Sequence, residues 1–319
     1  MPLLVVLTGP TGTGKSELAM QLAAWLEQRV PVEIVSVDSA LVYRGMDIGT
    51  AKPSTEARTR VPHHLIDIRS PAESYSAGDF VRDARAAIDS ILTRGRVPLL
   101  VGGTMLYLRA LYSGLAVLPE ASLPLRQALD EQAALHGWPA LHAELTRVDP
   151  HAASHIDRND SQRIQRSLEV YRLTGLPITH WQQQTHGARE EFRWLRYALQ
   201  PASRADLHER LAARFEGMLS AGFVAEVRQL QSRGDLTERH PSMRAVGYRQ
   251  LWRYCQGECS LTEASQQAVI ATAQLAKRQM TWLRRDQGTM TLSAGAVGQA
   301  ADIGEQIQQA LAHDRPDAQ

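Results

Sequence analysis

Apolar residues open the chain in a solid block, Leu3-Leu4-Val5-Val6-Leu7, with no polar position inside it. An unbroken apolar run of that length reads as a strand buried on both faces. It ends in Thr8-Gly9-Pro10, and the pattern then predicts a helix over about residues 15–27. Residues 32–37 read as a second strand ending in Asp38, residues 64–68 as a third, and residues 98–101 as a fourth ending in Gly102-Gly103-Thr104. Residues 76–94 instead repeat at helical spacing, with Phe80, Ala84, Ala87, Ile88 and Ile91 along one stripe. Strands alternating with helices in this way predict an α/β fold: a parallel sheet flanked by helices.

The character changes over residues 116–190. Strand signals vanish and short helical stretches replace them, one over residues 160–174, stopped by Gly175 and Pro177. Strand character returns over residues 192–199. We therefore expect an α/β core from residues 1–115 and 191–319, interrupted by a helical insertion domain at residues 116–190. A helix over residues 203–221 begins on a capping-box-like Ser203 and Asp206 and ends at Gly222. A long helix follows over residues 261–285. The polar tail after about residue 313 is expected to be loose.

Composition adds little until it is localised. Net charge is +1, from 35 Lys+Arg against 34 Asp+Glu. Residues 241–285, however, hold Arg244, Arg249, Arg253, Lys277, Arg278, Arg284 and Arg285 against only Glu258 and Glu263. This local excess of positive charge suits a polyanion. The two cysteines, Cys255 and Cys259, have no second pair to complete a zinc site and read as free thiols. No apolar run approaches a membrane span, and residues 3–7 lead into a glycine loop rather than a cleavage site. A cytoplasmic protein with no membrane partner is expected.

The chemistry begins at Gly9-Pro10-Thr11-Gly12-Thr13-Gly14-Lys15-Ser16, which fits G-x-x-x-x-G-K-[ST] between a buried strand and a helix. Glycines let the backbone curl so that N–H groups converge on a phosphate, and the helix start adds partial positive charge. Lys15 is placed to reach terminal phosphates and Ser16 to ligate Mg²⁺. An ATP or GTP hydrolase would also want an acidic residue at a strand end to organise the metal and water. Asp38 and Asp67 both qualify on position, whereas residues 98–101 run into Gly102 with no carboxylate. That leaves room for transfer chemistry in which diphosphate is the leaving group.

Residues 38–53, Asp38-Ser39-Ala40-Leu41-Val42-Tyr43-Arg44-Gly45-Met46-Asp47-Ile48-Gly49-Thr50-Ala51-Lys52-Pro53, resemble the signature segment of the tRNA dimethylallyltransferases, the bacterial tRNA isopentenyltransferases. Further stretches are similar to that family, in its order: residues 102–107, 159–163, 244–250 and 277–284. The resemblance implies a P-loop NTPase-like fold and a helical insertion that grips the anticodon stem-loop. It implies Mg²⁺, and transfer of a dimethylallyl group from dimethylallyl diphosphate to N6 of the adenine beside the anticodon of tRNA, at tRNA position 37. We expect a monomer.

The resemblance also distributes roles. On position alone Asp38 fits a metal-organising aspartate and a general base equally; residues 38–53 tip it to the base, which orients the weakly nucleophilic adenine amine and takes its proton. Thr11 and Arg214 match residues that hold the diphosphate, alongside Gly9, Pro10, Gly12, Thr13, Gly14, Lys15 and Ser16. Asp38, Ser39, Ala40, Leu41 and Thr104 match positions near the target adenine. Arg126, Gln162, Arg163, Ile164, Gln165 and Arg166 match tRNA-contacting stretches. So do Arg244, Ala245, Val246, Gly247, Tyr248 and Arg249, and Lys277, Arg278, Trp282 and Arg284. Within these segments Met105, Tyr107 and Trp282 fit core positions better than base-stacking platforms. A small-molecule P-loop kinase, a prenyltransferase acting on free AMP or ATP, and a nucleotide-switched RNA-binding protein would share the loop. The first two need neither the insertion nor the basic stretch, and the last has no use for Asp38.

Overall fold

The computed structural model describes residues 1–114, 116, 118–183 and 191–313. By contacts the chain divides into Met1–Arg109 with Glu190–Gln319, and Ala110–Arg189.

The first unit is built on a six-stranded sheet: β1 Leu3–Thr8, β2 Val32–Val37, β3 His63–His64, β4 Val97–Gly102, β5 Arg193–Gln200 and β6 Met290–Ser293. The order is β3-β2-β4-β1-β5-β6 and every pair is parallel. β1, β2 and β4 are buried along their whole lengths, which is why their sequences read as continuous runs rather than alternations. Leu3, Val5 and Leu7 pack with Leu18, Leu22 and Leu26 of α1 (Lys15–Leu26) and with Ile303 and Ile307 of the last helix, Gln299–Ala312. Leu4 and Val6 point to the opposite face, as strand geometry requires.

The intervening helices are α2 Thr55–Arg60, α3 Ala77–Thr93 and α4 Met105–Ser113. α3 buries Phe80, Ala84, Ile88 and Ile91, and its start is a full capping box between Ser76 and Asp79.

The third strand is shorter than the sequence predicts. It stops at His64, because Leu65 and Asp67 both adopt positive φ, 63° and 59°, a conformation that breaks a strand and that leucine rarely takes. The Asp67 carboxylate holds the turn in place by accepting from Lys52 and, at 2.7 Å, from Arg58. β6, which pairs Tyr197 with Met290 through Gln200 with Ser293, carries no apolar run and went unforeseen.

The second unit consists of α5 Leu123–His136, α6 Trp138–Val148, α7 Pro150–His155, α8 Ser161–Thr174 and α9 Ile178–Gln183 around a small core of Leu129, Leu141, Leu145, Ile164 and Leu168. At its edge Glu169 is fully buried and takes Arg126 at 2.8 Å, Arg166 at 2.6 Å and the Ser122 amide at 2.8 Å.

After β5 come α10 Arg204–Ser220, α11 Phe223–Ser232, α12 Tyr248–Cys255, α13 Leu261–Leu283 and α14 Gln299–Ala312, with a short 3₁₀ turn at Ser242–Arg244. Ser203 caps α10 by accepting from the Asp206 amide at 3.0 Å, but Asp206 turns its carboxylate to Arg210 instead of completing the box. Cys255 and Cys259 are free. The expected loose tail after residue 313 lies outside the described residues.

Candidate active site

In a parallel sheet, ligands bind beyond the carboxyl ends of the strands. Here the end of β1 carries the glycine loop, the end of β2 carries Asp38, and the end of β4 carries Gly103 and Thr104. With α10, α12 and α13 they border one cleft of about 520 Å³ in the first unit.

The loop has the expected backbone. Gly9, Gly12 and Gly14 all hold positive φ, at 147°, 84° and 83°, which side chains rarely tolerate. The Thr13 hydroxyl closes the turn by donating to the Pro10 carbonyl at 2.8 Å, and Lys15 Nζ donates to the same carbonyl at 2.6 Å. Burial lowers the Lys15 ammonium to about 8, the nearby Asp38 charge pulling it up and Arg214 pushing it down. Below that pH the ammonium is charged and attracts an anion; above it the charge is lost. Affinity for inorganic pyrophosphate should therefore fall by up to about tenfold per pH unit once the pH passes that point. Titration calorimetry of the unaltered protein against Lys15→Arg, which stays charged, separates this loss from ionisation of the ligand; parallel curves would remove Lys15 from the explanation.

Asp38 is held firmly. Its Oδ1 accepts from the Ala40 amide at 2.8 Å and the Leu41 amide at 3.2 Å, so the turn after β2 is wound around one carboxylate oxygen. Thr104 braces the same turn: its hydroxyl accepts from the Ser39 amide at 3.1 Å, and its own amide donates to Val37 O at 3.2 Å. The ambiguity between Asp38 and Asp67 is thereby resolved in space. Asp38 lines the cleft. Asp67 is not among the lining residues, and the hydrogen bonds from Lys52 and Arg58 outweigh its partial burial and hold its carboxyl below the usual range.

Arg214 projects from α10 with Leu211, Phe215 and Met218 on the same face. Its side chain is open to the cleft, while the protein crowding its guanidinium lowers its pKa against the pull of Asp38; arginine so far above neutrality stays charged. Lys15, Asp38 and Arg214 thus feel one another electrostatically, a cation–anion–cation set beside an apolar wall.

Thr11, Asp38, Ser39, Ala40, Thr104 and Arg214 all line the cleft, as do Arg244, Ala245, Val246, Gly247, Tyr248, Arg278 and Trp282. Leu41, Arg249, Lys277 and Arg284 are not among the lining residues, and the last three are exposed. Arg126, Gln162, Arg163, Ile164, Gln165 and Arg166 belong to the second unit. There Ile164 is fully buried, so its side chain is core. Arg126 and Arg166 serve Glu169, and Gln165 donates to Asp130 at 2.7 Å, while Gln162 and Arg163 face solvent.

Tyr107 is core, stacked on Phe80 at 4.5 Å. Met105 and Trp282 are not. Both line the cleft, and the 39% exposed Trp282 ring carries the Arg109 guanidinium 5.7 Å above it.

Sequence reasoning missed the apolar wall of Leu211, Phe215, Met218, Phe223 and Leu275. The signal was present in part: Leu211, Phe215 and Met218 lie within four residues of Arg214 on α10. It also missed Glu226, whose carboxylate accepts from the amides of Asp47, Ile48 and Gly49 at 2.9, 2.7 and 3.2 Å and from the Tyr248 hydroxyl. Burial and then Glu226 push the Tyr248 phenol far above its ordinary value, so it remains a donor.

Known proteins share this architecture. The chain is 53% identical over 298 residues to the tRNA dimethylallyltransferase of Methylococcus capsulatus, covering 93% of this chain and 94% of that protein. It is 50% identical over 312 residues to that of Bordetella petrii, covering 97% and 98%. Among solved structures, a full-length tRNA isopentenylpyrophosphate transferase from Bacillus halodurans superposes with a TM-score of 0.71 at 33% identity, over 98% of each chain. A eukaryotic dimethylallyltransferase acting on tRNA superposes with a TM-score of 0.79 at 25% identity, over 100% of this chain and 81% of that one. The parallel sheet with its phosphate loop is P-loop NTPase-like. Residues 41–286 match the family described as IPP transferase, and with the cleft and these likenesses in hand the chain belongs to that family.

Proposed function

We propose that the protein transfers a dimethylallyl group from dimethylallyl diphosphate to N6 of the adenine at tRNA position 37 and releases diphosphate. One observation carries this reading: Thr11 of the phosphate loop, the turn-locked Asp38 and an apolar wall line a single cleft. Lys15, Arg214 and the loop amides hold the diphosphate, where fixed positive charge lowers the barrier as the C–O bond breaks and charge builds on the departing oxygen. The wall of Leu211, Phe215, Met218 and Phe223 takes the five-carbon group and keeps water from it. The adenine leaves its stack to reach the cleft. Its amine forms the new C–N bond and gives its proton to Asp38, whose Oδ2 is the oxygen not used by the turn.

Mg²⁺ fits this site as a companion of the diphosphate. Among the described residues no group of three or more His, Cys, Asp or Glu could hold a metal. Mg²⁺ bound mainly through phosphate oxygens and water needs only one or two protein oxygens, and the exposed Ser16 at the start of α1 offers one. When bound it neutralises charge on the leaving group.

The insertion, with exposed Gln162 and Arg163, would meet the anticodon stem-loop, and Arg244, Arg249, Lys277, Arg278 and Arg284 its phosphates. Trp282 offers a ring for base contact. A monomer working in the cytoplasm suits this task, and no helix of the described residues is long and apolar enough to cross a membrane.

The test is to incubate the protein with unmodified tRNA, Mg²⁺ and labelled dimethylallyl diphosphate, with AMP and ATP as parallel acceptors. Label should enter the tRNA; label entering only AMP or ATP would overturn the reading. Affinity for tRNA should drop by roughly 10³-fold or more between about 50 and 200 mM salt if six or more phosphates are contacted. A flat response would remove the basic surface from the account.

A further inference from the structure

The Gln279 side chain is 8% exposed and makes two hydrogen bonds to backbone far from it in sequence. Its Oε1 accepts from the Thr11 amide at 2.9 Å, and its Nε2 donates to the Gly103 carbonyl at 2.8 Å. Only one orientation of the amide satisfies both, since the flipped one would set donor against donor and acceptor against acceptor. Thr11 belongs to the phosphate loop. Gly103 precedes Thr104, whose hydroxyl holds the Ser39 amide in the turn built on Asp38. One buried side chain of α13 therefore links the loop that holds the leaving group to the turn that holds the base.

Position 103 is shaped around this link. A Cβ added there would come within 2.5 Å of Gln279 Nε2 and 3.1 Å of Gly9 O. Gly103 thus admits both the amide and the edge of the phosphate loop, which a larger residue would part. The helix that supplies Gln279 also presents Arg278 and Trp282 to the cleft.

We propose that Gln279 is a positioning residue that sets the distance between the departing diphosphate and the Asp38 carboxylate. This rests on the transfer reaction proposed above. The neutral amide meets both partners, one as acceptor and one as donor. Glutamate keeps an acceptor for Thr11 but turns a carboxylate oxygen on the Gly103 carbonyl, and leucine keeps volume and loses both bonds.

The expected result for Gln279→Glu is a fall in kcat of roughly 100-fold, the scale of a misplacement of about 1 Å, with KM for tRNA unchanged. Its affinity for inorganic pyrophosphate falls as well, because the new carboxylate lies against the Thr11 amide of the phosphate loop, so kcat is read at saturating dimethylallyl diphosphate. Gln279→Leu loses rate and also binds pyrophosphate more weakly. A merely structural role would not separate kcat from KM in this way. It would lower the melting temperature, and the rate would return to near normal on cooling below it; that result overturns the proposal. So does a kcat within about threefold of the unaltered protein in both variants. If the unaltered protein fails to label tRNA, the transfer reading fails, and the link is then judged on pyrophosphate alone: unchanged affinity in Gln279→Leu overturns it.

Discussion

Asp38→Asn is expected to lower the rate of transfer by roughly 10²–10⁴-fold, the usual contribution of a positioned general base. The substitution suits the question because the asparagine oxygen can still accept from the Ala40 and Leu41 amides, so the turn keeps its shape. What disappears is the basic oxygen and its charge. Pyrophosphate should continue to bind. Because the Asp38 charge raises the Lys15 ammonium, its removal should also move the loss of pyrophosphate affinity to a lower pH than in the unaltered protein. Asp38→Ala removes the turn acceptor as well and should be at least as slow. Single-turnover transfer with bound tRNA measures the chemical step; a near-normal rate in Asp38→Asn would transfer the role of base elsewhere.

Glu169→Ala is expected to loosen the second unit. The carboxylate is wholly enclosed and receives two guanidinium groups and an amide. Removing one partner from a buried ion pair costs about 3–5 kcal/mol. The lower end applies, because Arg126 and Arg166 are 40% and 27% exposed and can turn to water. Hydrogen exchange of α5 and α8 should accelerate on the order of 100-fold. The sign with pH follows from the same contacts. Burial works against the ionised form, but the two arginines and the Ser122 amide outweigh it and hold the carboxyl below its ordinary 4.5. Its stabilisation is whole above that value and is lost as the pH falls toward the folded-state pKa. The alanine variant should lack this acid-induced loosening. Unchanged exchange in α5 and α8 would mean that the apolar core around Leu129 and Leu168 carries the unit alone.

The parallel sheet was legible because buried parallel strands leave continuous apolar runs, and β1, β2 and β4 are of that kind. β6 and the true end of β3 were not. β6 is an exposed edge of polar and apolar residues recruited by its neighbour β5, and β3 stops at a turn held by Lys52 and Arg58 from elsewhere in the chain. The helices over residues 76–94, 160–174 and 203–221 were legible from local signals, their caps and stripes, since helices are governed by neighbours within a turn or two.

The sequence by itself determined the phosphate loop, because that device is local: eight consecutive residues supply the curl, the amides, the lysine and the hydroxyl. It also determined Asp38 as a candidate and the order of strands and helices that feed the sheet. The tertiary structure alone decided that Asp38, rather than Asp67, borders the cleft, since that depends on which strand ends meet. It alone decided that Met105 and Trp282 open to the cleft while Ile164 is sealed away. And it alone revealed Gln279 and Glu226. Each satisfies backbone groups more than 170 residues distant in sequence, and an amide or carboxylate in a helix gives no local sign of a partner that the fold has yet to bring.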